Sequence, residues 1–229
     1  MDLTIVTWLW GNKYTAQDVR RLSFGIRRHL KQPFRFFVFS DRPPNENFGD
    51  AIGRPILNPN LCARHCFCRL RLFDPQFQAM HGIVAGRIVS IDLDAVITGP
   101  LDPLFDRPEN FVILQGVNEV NPCPYNASVS MLRAGAHSEI WSEFSFEALQ
   151  AIKFHEFHDD QGWIWHKIPD AAAFTVGDGV YAFQKPGWPI GDRLPINARI
   201  VAFFGKRKPE RYRHLPWMIE HWRDRHDRP

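Results

Sequence analysis

Along this 229-residue chain, apolar positions recur at one period and then another, and the switches outline a series of strands and helices. Residues 3–10 are β-branched and aromatic and stop at Gly11-Asn12, the pattern of a buried strand and a loop. Thr15 with Asp18 three residues on marks a capping-box start, and Val19, Leu22, Ile26 and Leu30 then recur at helical spacing. Residues 34–39 read as a second strand closing at Ser40-Asp41. A weak strand at 55–57, a helix over 61–73 and a strong strand at 87–91 follow, the last running straight into Asp92-Leu93-Asp94. Strands at 111–114 and 127–132 precede helical periodicity over 138–154 in Ile140, Trp141, Phe144, Ala148, Leu149 and Ile152. A short helix at 160–168, strands near 180–183 and 200–204 and a Trp-rich helical tail complete the pattern. Strands alternating with helices predict an α/β fold: one domain over 1–229 with a mostly parallel central sheet flanked by helices.

Composition narrows the classes. With 45% hydrophobic and 23% charged residues the chain can bury one substantial core. Lys and Arg number 28 against 25 Asp and Glu, and a formal charge of +3 argues against a dedicated nucleic-acid binder. The excess is local, since from Gly205 onward eight Lys/Arg face four acids. A basic, aromatic segment at 206–229 suits an anionic ligand or peripheral contact with a membrane surface, although a helix docked on the domain is the simpler expectation. No apolar run approaches the roughly 18 residues of a membrane span, and 3–10 is too short for a secretory signal. The expected location is cytoplasmic, with peripheral attachment at the inner face of the membrane as the variant. Cys62, Cys66, Cys68 and Cys123 are too few for a disulfide scaffold, and Cys62, His65, Cys66 and Cys68 match no familiar zinc spacing, so buried reduced thiols are expected. His155, His158 and Asp159 are better read as solvent-facing or packing residues than as a second metal site.

The chemistry concentrates at Asp92 and Asp94. In an extended backbone they project the same way while Leu93 points back, which makes a two-carboxylate claw suited to Mg²⁺ or Mn²⁺. Ligands in open α/β sheets bind at the carboxyl ends of strands, where this pair lies. One chemistry with such a pair is the haloacid dehalogenase type of phosphotransferase, with Asp92 as nucleophile and Val176-Gly177-Asp178-Gly179 imitating its late acidic loop. Against it, about ninety residues precede the pair and no acid follows in 179–183.

A second resemblance spans most of the chain. Asn12-Lys13-Tyr14, Cys68-Arg69-Leu70, Ile91-Asp92-Leu93-Asp94, Tyr125-Asn126-Ala127-Ser128-Val129, Asp159-Asp160-Gln161 and the closing 200–209 stretch through Gly205, Lys208 and Pro209 occur in one order. In that order they resemble bacterial GT-A glycosyltransferases, similar to the glycogenin and lipopolysaccharide galactosyltransferase group (family 8-like). The resemblance implies a Rossmann-like GT-A domain and metal-dependent transfer from a nucleotide-sugar, UDP-sugar first, to a glycan or lipid-linked acceptor, with retention. It implies donor contacts from Thr7, Lys13, Tyr14, Asp41, Arg69, Asn126, Gly205 and Lys208, a Mn²⁺ or Mg²⁺ ion on Asp92 and Asp94, and Asp160 with Gln161 beside the reacting carbon. Two departures are visible: Ala202 stands where the group carries a third, histidine ligand to the metal, so weaker metal affinity is expected, and Ala182-Phe183-Gln184 replaces a Ser-Tyr-Lys stretch with Lys185 one place later; the alternative they motivate is a catalytically silent sugar-nucleotide-binding protein.

Overall fold

The computed structural model describes residues 2–43, 45–57, 60–63, 66–119, 123–152 and 159–225. Among these residues ten strands are found: β1 (Leu3–Leu9), β2 (Phe34–Ser40), β3 (Ile52–Pro55), β4 (Arg87–Ile91), β5 (Ala95–Ile97), β6 (Phe111–Gln115), β7 (Tyr125–Arg133), β8 (Ala172–Phe174), β9 (Val180–Ala182) and β10 (Ile200–Ala202). The helices are α1 (Ala16–His29), α2 (Asn60–Ala63), α3 (Pro75–Met80), α4 (Asp102–Phe105), α5 (Glu139–Ser142), α6 (Phe146–Ala151), α7 (Asp160–Lys167) and α8 (Pro216–His221), with a 3-10 helix at Phe67–Phe73.

Seven strands form the central sheet in the order β3-β2-β1-β4-β7-β6-β8, and β5-β10-β9 form a second, smaller sheet. Four of the six pairings in the central sheet are parallel, and β7 alone runs against its neighbours β4 and β6. All seven residues of β1 are buried, and its side chains serve both faces. Leu3 and Ile5 pack with the apolar stripe of α1 and with the small sheet, whereas Val6 and Trp8 meet the 3-10 helix, α3 and the 139–168 helices. A third core, from Val96, Phe183, Val201, Phe203, Trp217 and Trp222, seals the outer face of the small sheet. The Trp-rich tail is therefore a docked helix, with Arg20–Asp224 at 2.7 Å helping to fasten it. No helix among the described residues is long and apolar enough to cross a membrane.

Several boundaries depart from the sequence expectation. The helix expected over 61–73 is broken: Cys66 sits at φ 67°, and the chain restarts as a 3-10 helix. The 138–154 stretch divides at Ser145, whose hydroxyl accepts from Ala148 N (3.0 Å) and begins α6; residues 153 and 154 lie outside the described set. β3 begins at Ile52, ahead of the expected 55–57. The capping box of α1 is present, with Thr15 N donating to Asp18 Oδ2 at 2.8 Å.

Candidate functional site

The sheet order changes direction between β1 and β4, since β1 is followed outward by β2 while β4 returns on its other side. A crevice opens at such a switch, beyond the carboxyl ends of the strands. Tyr14 follows β1 and Asp92 follows β4 there. The reversed direction of β7 brings its first residues to the same edge, where Asp92 N donates to Ser128 O (2.9 Å). From the far side α7 points its first turn inward. Trp163 Nε1 donates to Ile140 O (2.8 Å) and Tyr125 Oη to Ile168 O (2.5 Å), so packing holds that helix at both ends.

The crevice comprises two chambers that share Cys66, Arg69, Asp92 and Phe204. The larger, about 440 Å³, is lined by Asn126, Asp160 and Gln161, with the Lys185–Glu119 pair (2.6 Å) among its boundary residues. The smaller, about 160 Å³, is lined by Trp8, Lys13, Tyr14, Asp94, Gly205 and Lys208.

Arg69 is the hub of the larger chamber. Its guanidinium reaches Asp92 at 3.0 Å and Asp160 at 3.6 Å, and donates to Ala127 O at 3.3 Å. Burial alone would lower its proton affinity, but Asp92 and Asp160 outweigh that and hold it well above the ordinary arginine value. One cation cannot fully satisfy two carboxylates. Burial, opposed by Arg69, raises Asp92, and Asp160 is pushed up to about 7 by burial, again opposed by Arg69 and reinforced by Asp159 and Asp92. Asp160 is 4% exposed and its Oδ2 has no hydrogen-bond partner among the described residues. Gln161 Oε1 accepts from Ala127 N (3.3 Å), and Asn126 Oδ1 accepts from Ser128 N (3.1 Å), so both amides are oriented by β7.

The smaller chamber is organised around Asp94. Its Oδ2 accepts from Tyr14 Oη and from Lys208 Nζ, both at 2.6 Å, and Lys208 also donates to Tyr14 Oη at 3.0 Å. Burial first, then the Asp94 charge, raises Tyr14 and keeps its phenol protonated. Lys13 stands at the rim with its ammonium 4.8 Å from the Tyr14 ring centroid; desolvation and the Lys208 charge lower it. Gly205 is at φ +66° with nothing within 4 Å of where a Cβ would stand, so backbone faces open space there. Cys66, between the chambers, has its thiol pushed by burial up to about 12, which leaves it unreactive.

The structure thus gathers ten of the expected residues into one crevice: Lys13, Tyr14, Arg69, Asp92, Asp94, Asn126, Asp160, Gln161, Gly205 and Lys208. Two fall elsewhere. Thr7 is fully buried with its hydroxyl donated to Ile91 O (2.7 Å), so it ties β1 to β4 and lines neither chamber. Asp41 is exposed and accepts from Gly11 N (2.8 Å), which staples the loop after β1 to the end of β2. The claw geometry is also corrected. β4 ends at Ile91, and a turn with Ala95 N donating to Asp92 O (3.1 Å) replaces extended backbone, so Asp92 faces Arg69 while Asp94 faces Tyr14 and Lys208. Trp8, Asn118, Glu119 and Lys185 also line the crevice, outside the residues given individual roles from the sequence. Trp8 was legible only as a strand residue, and the others lie in loops with no spacing signal.

The imitation of a late acidic loop has a structural origin. Asp178 accepts from Thr175 N and Oγ1 (both 2.9 Å) to cap a 3-10 turn, and Gly179 at φ +80° lies where a Cβ would come within 2.2 Å of Asn197 O. Cys68 and Cys123 are buried as expected, while His65, His155 and His158 lie outside the described residues.

Known folds share this framework. The galactosyltransferase LgtC, solved in complex with donor and acceptor sugar analogs, superimposes with a TM-score of 0.60 at 14% identity, covering 91% of this chain and 89% of that one. The glycosyltransferase GlyE of Streptococcus pneumoniae TIGR4 gives 0.62 at 14% identity, over 97% of this chain and 66% of GlyE. No protein-family model matches the chain, and no curated protein matches it by sequence. The mixed α/β fold with its mostly parallel central sheet is therefore that of the GT-A glycosyltransferases.

Proposed function

We propose that the chain is a glycosyltransferase that moves a sugar from a nucleotide-sugar, a UDP-sugar in the first instance, to a hydroxyl of a glycan or lipid-linked acceptor. The observation that carries this reading is the paired crevice. Residues from six separated stretches meet at the switch point of a fold shared with sugar transferases, in one chamber rich in cations and one rich in amides and acids. The diphosphate suits the smaller chamber, where Lys208 and the open backbone at Gly205 converge, with the Tyr14 ring as a platform for the base. The sugar suits the larger one, among Asn126, Asp160 and Gln161.

The resemblance implies a divalent ion on Asp92 and Asp94, but the donor set present does not fit one. Both carboxylates already hold protein cations, and no group of three or more His, Cys, Asp or Glu converges among the described residues.

In the transfer, the bond between the anomeric carbon and the diphosphate oxygen breaks and its electron pair leaves with the nucleoside diphosphate. The acceptor oxygen forms the new bond, and its proton passes to a departing phosphate oxygen. Positive side chains around the leaving group supply the electrostatic stabilisation. Gln161 is neutral and Asp160, raised to about 7 by burial, is in good part a protonated carboxyl near neutral pH, which supports same-face attack with retention. Phosphoryl transfer through Asp92 is disfavoured by its tie to Arg69.

The test is a panel of nucleotide-sugars incubated with the protein, followed by thermal shift and release of nucleoside diphosphate, with NMR of the anomeric product. Stabilisation and turnover by one nucleotide class are expected. A melting temperature unmoved by every nucleotide-sugar would overturn the reading.

A further inference from the structure

The smaller chamber holds positive charge of its own where a bound cation is expected. We propose that Lys13 and Lys208 together provide the charge that faces the donor's diphosphate, so that donor binding in this chain needs no divalent ion. The proposal rests on the glycosyltransferase reading for the identity of its ligand.

Four independent features support it. Lys208 Nζ lies 2.6 Å from Asp94 Oδ2, in direct contact with one of the two carboxylates that would have to hold a metal. An ammonium has three N–H donors; Asp94 and Tyr14 take two, which leaves one for a phosphate oxygen. Second, the turn at 92–95 directs Asp92 to Arg69, and Arg69 takes both of its oxygens, at 3.0 and 3.2 Å. The two carboxylates are thus committed separately, whereas Mg²⁺ requires near-octahedral oxygen ligands at about 2.0–2.1 Å. Third, the strand that closes over Asp94 offers no ligand. Phe203 N donates to Asp94 O (2.9 Å), Ala202, fully buried, pairs with Ala95, and Phe204 is the phenyl group of this stretch that lines the chamber, so no side chain there can ligate a metal. Fourth, Trp8 lines the same chamber and its buried Nε1–H has no hydrogen-bond partner among the described residues. An indole N–H can only donate, which serves an anion and is useless to a metal.

Charge counting agrees. Lys13, Lys208 and Arg69 carry three positive charges around Asp92 and Asp94, so the chamber keeps a net positive charge without added ions. Lys13 and Lys208 also flank one Tyr14 ring, at 4.8 and 5.6 Å from its centroid, and an incoming phosphate would relieve their mutual repulsion.

The experiment is isothermal titration of UDP, then of inorganic pyrophosphate, into the full chain with excess EDTA and again with Mn²⁺. It is repeated for Lys13→Met, Lys208→Met and Lys208→Arg, with Mn²⁺ alone titrated as a control. UDP affinity in EDTA is expected within about threefold of that in Mn²⁺, weakened at least about tenfold by either Met variant and largely retained by Lys208→Arg. Mn²⁺ alone should give no binding heat. UDP binding that needs Mn²⁺, or that falls more than about tenfold on chelation, would overturn the proposal and leave the nucleotide reading standing. Pyrophosphate binding in EDTA that depends on the lysines, with UDP silent, would uphold the cationic chamber and count against the nucleotide reading. Silence of both probes would end both. If Lys208→Met fails to fold, Lys13→Met at the exposed rim decides the question alone.

Discussion

Replacing Asp160 with Asn tests whether a buried carboxyl here is kept near its neutral form. In the folded protein this group is raised from 3.8 to about 7. Between those two values the native state holds a proton that the unfolded chain has released. The group's contribution to stability is therefore fully present below 3.8, and it is lost as pH rises through about 7. At roughly 1.4 kcal/mol per tenfold in proton affinity, the whole effect amounts to at most about 4 kcal/mol, of which about 2.5 kcal/mol appears between about pH 8 and about pH 5. Asn has the same shape but does not titrate, so it adds only a pH-independent offset. Urea unfolding of wild type and Asp160→Asn at both pH values gives the required difference. Comparing the two proteins cancels other groups, notably His29 and His221, which burial lowers below 6.5 and which oppose the trend, their contribution being present above 6.5 and lost as pH falls below it through their lowered folded-state values. The wild-type advantage should grow by about 2.5 kcal/mol on going to the lower pH. A gap constant to within about 0.5 kcal/mol would mean that Asp160 stays ionised beside Arg69 at 3.6 Å, and the reasoning would fail.

Arg69→Met leaves Asp92 and Asp160 buried without their shared cation, and should cost about 3–5 kcal/mol near neutral pH by chemical denaturation, with much of the loss recovered under mildly acidic conditions. Tyr14→Ala should weaken UDP by about 1–3 kcal/mol in calorimetry if the ring supports the base, while Tyr14→Phe, which keeps the ring and deletes the hydroxyl, should lose about 1 kcal/mol. Gly179→Ala forces a Cβ to within 2.2 Å of Asn197 O at φ +80°, and should destabilise the fold by more than about 2 kcal/mol in thermal melts; an unchanged melting temperature would contradict the turn geometry.

What the sequence disclosed follows from how local each signal is. β4 spans Arg87–Ile91 as its apolar run predicts, and Thr15 with Asp18 marks the start of α1, because burial and capping act within a few residues. The broken helix before Arg69 was invisible, since the left-handed Cys66 is set by tertiary packing and not by a glycine. α3 was passed over although Asp74 caps it (2.9 Å to Gln76 N) and Pro75 fills its first position, a start signal without enough apolar repeats behind it. In the site, the residue types were readable while their pairing was not. Asp92 and Asp94 look like partners in the sequence, and a turn of four residues gives each a different cation. The Lys208–Asp94 contact joins positions 114 apart, which no local pattern encodes.

The small sheet has a bearing on how the protein is made. β5 follows Asp94 directly, yet its partner β10 arrives about a hundred residues later in the chain, pairing Ile97 with Ile200. A ribosome can therefore present β1, β4 and α1 for folding long before the strand that seats Asp94, and the lysine that neutralises it, have left the exit tunnel. The cationic side of the crevice is among the last features the growing polypeptide can complete, and a chain cut short ahead of that strand would lack both the seat of Asp94 and its lysine.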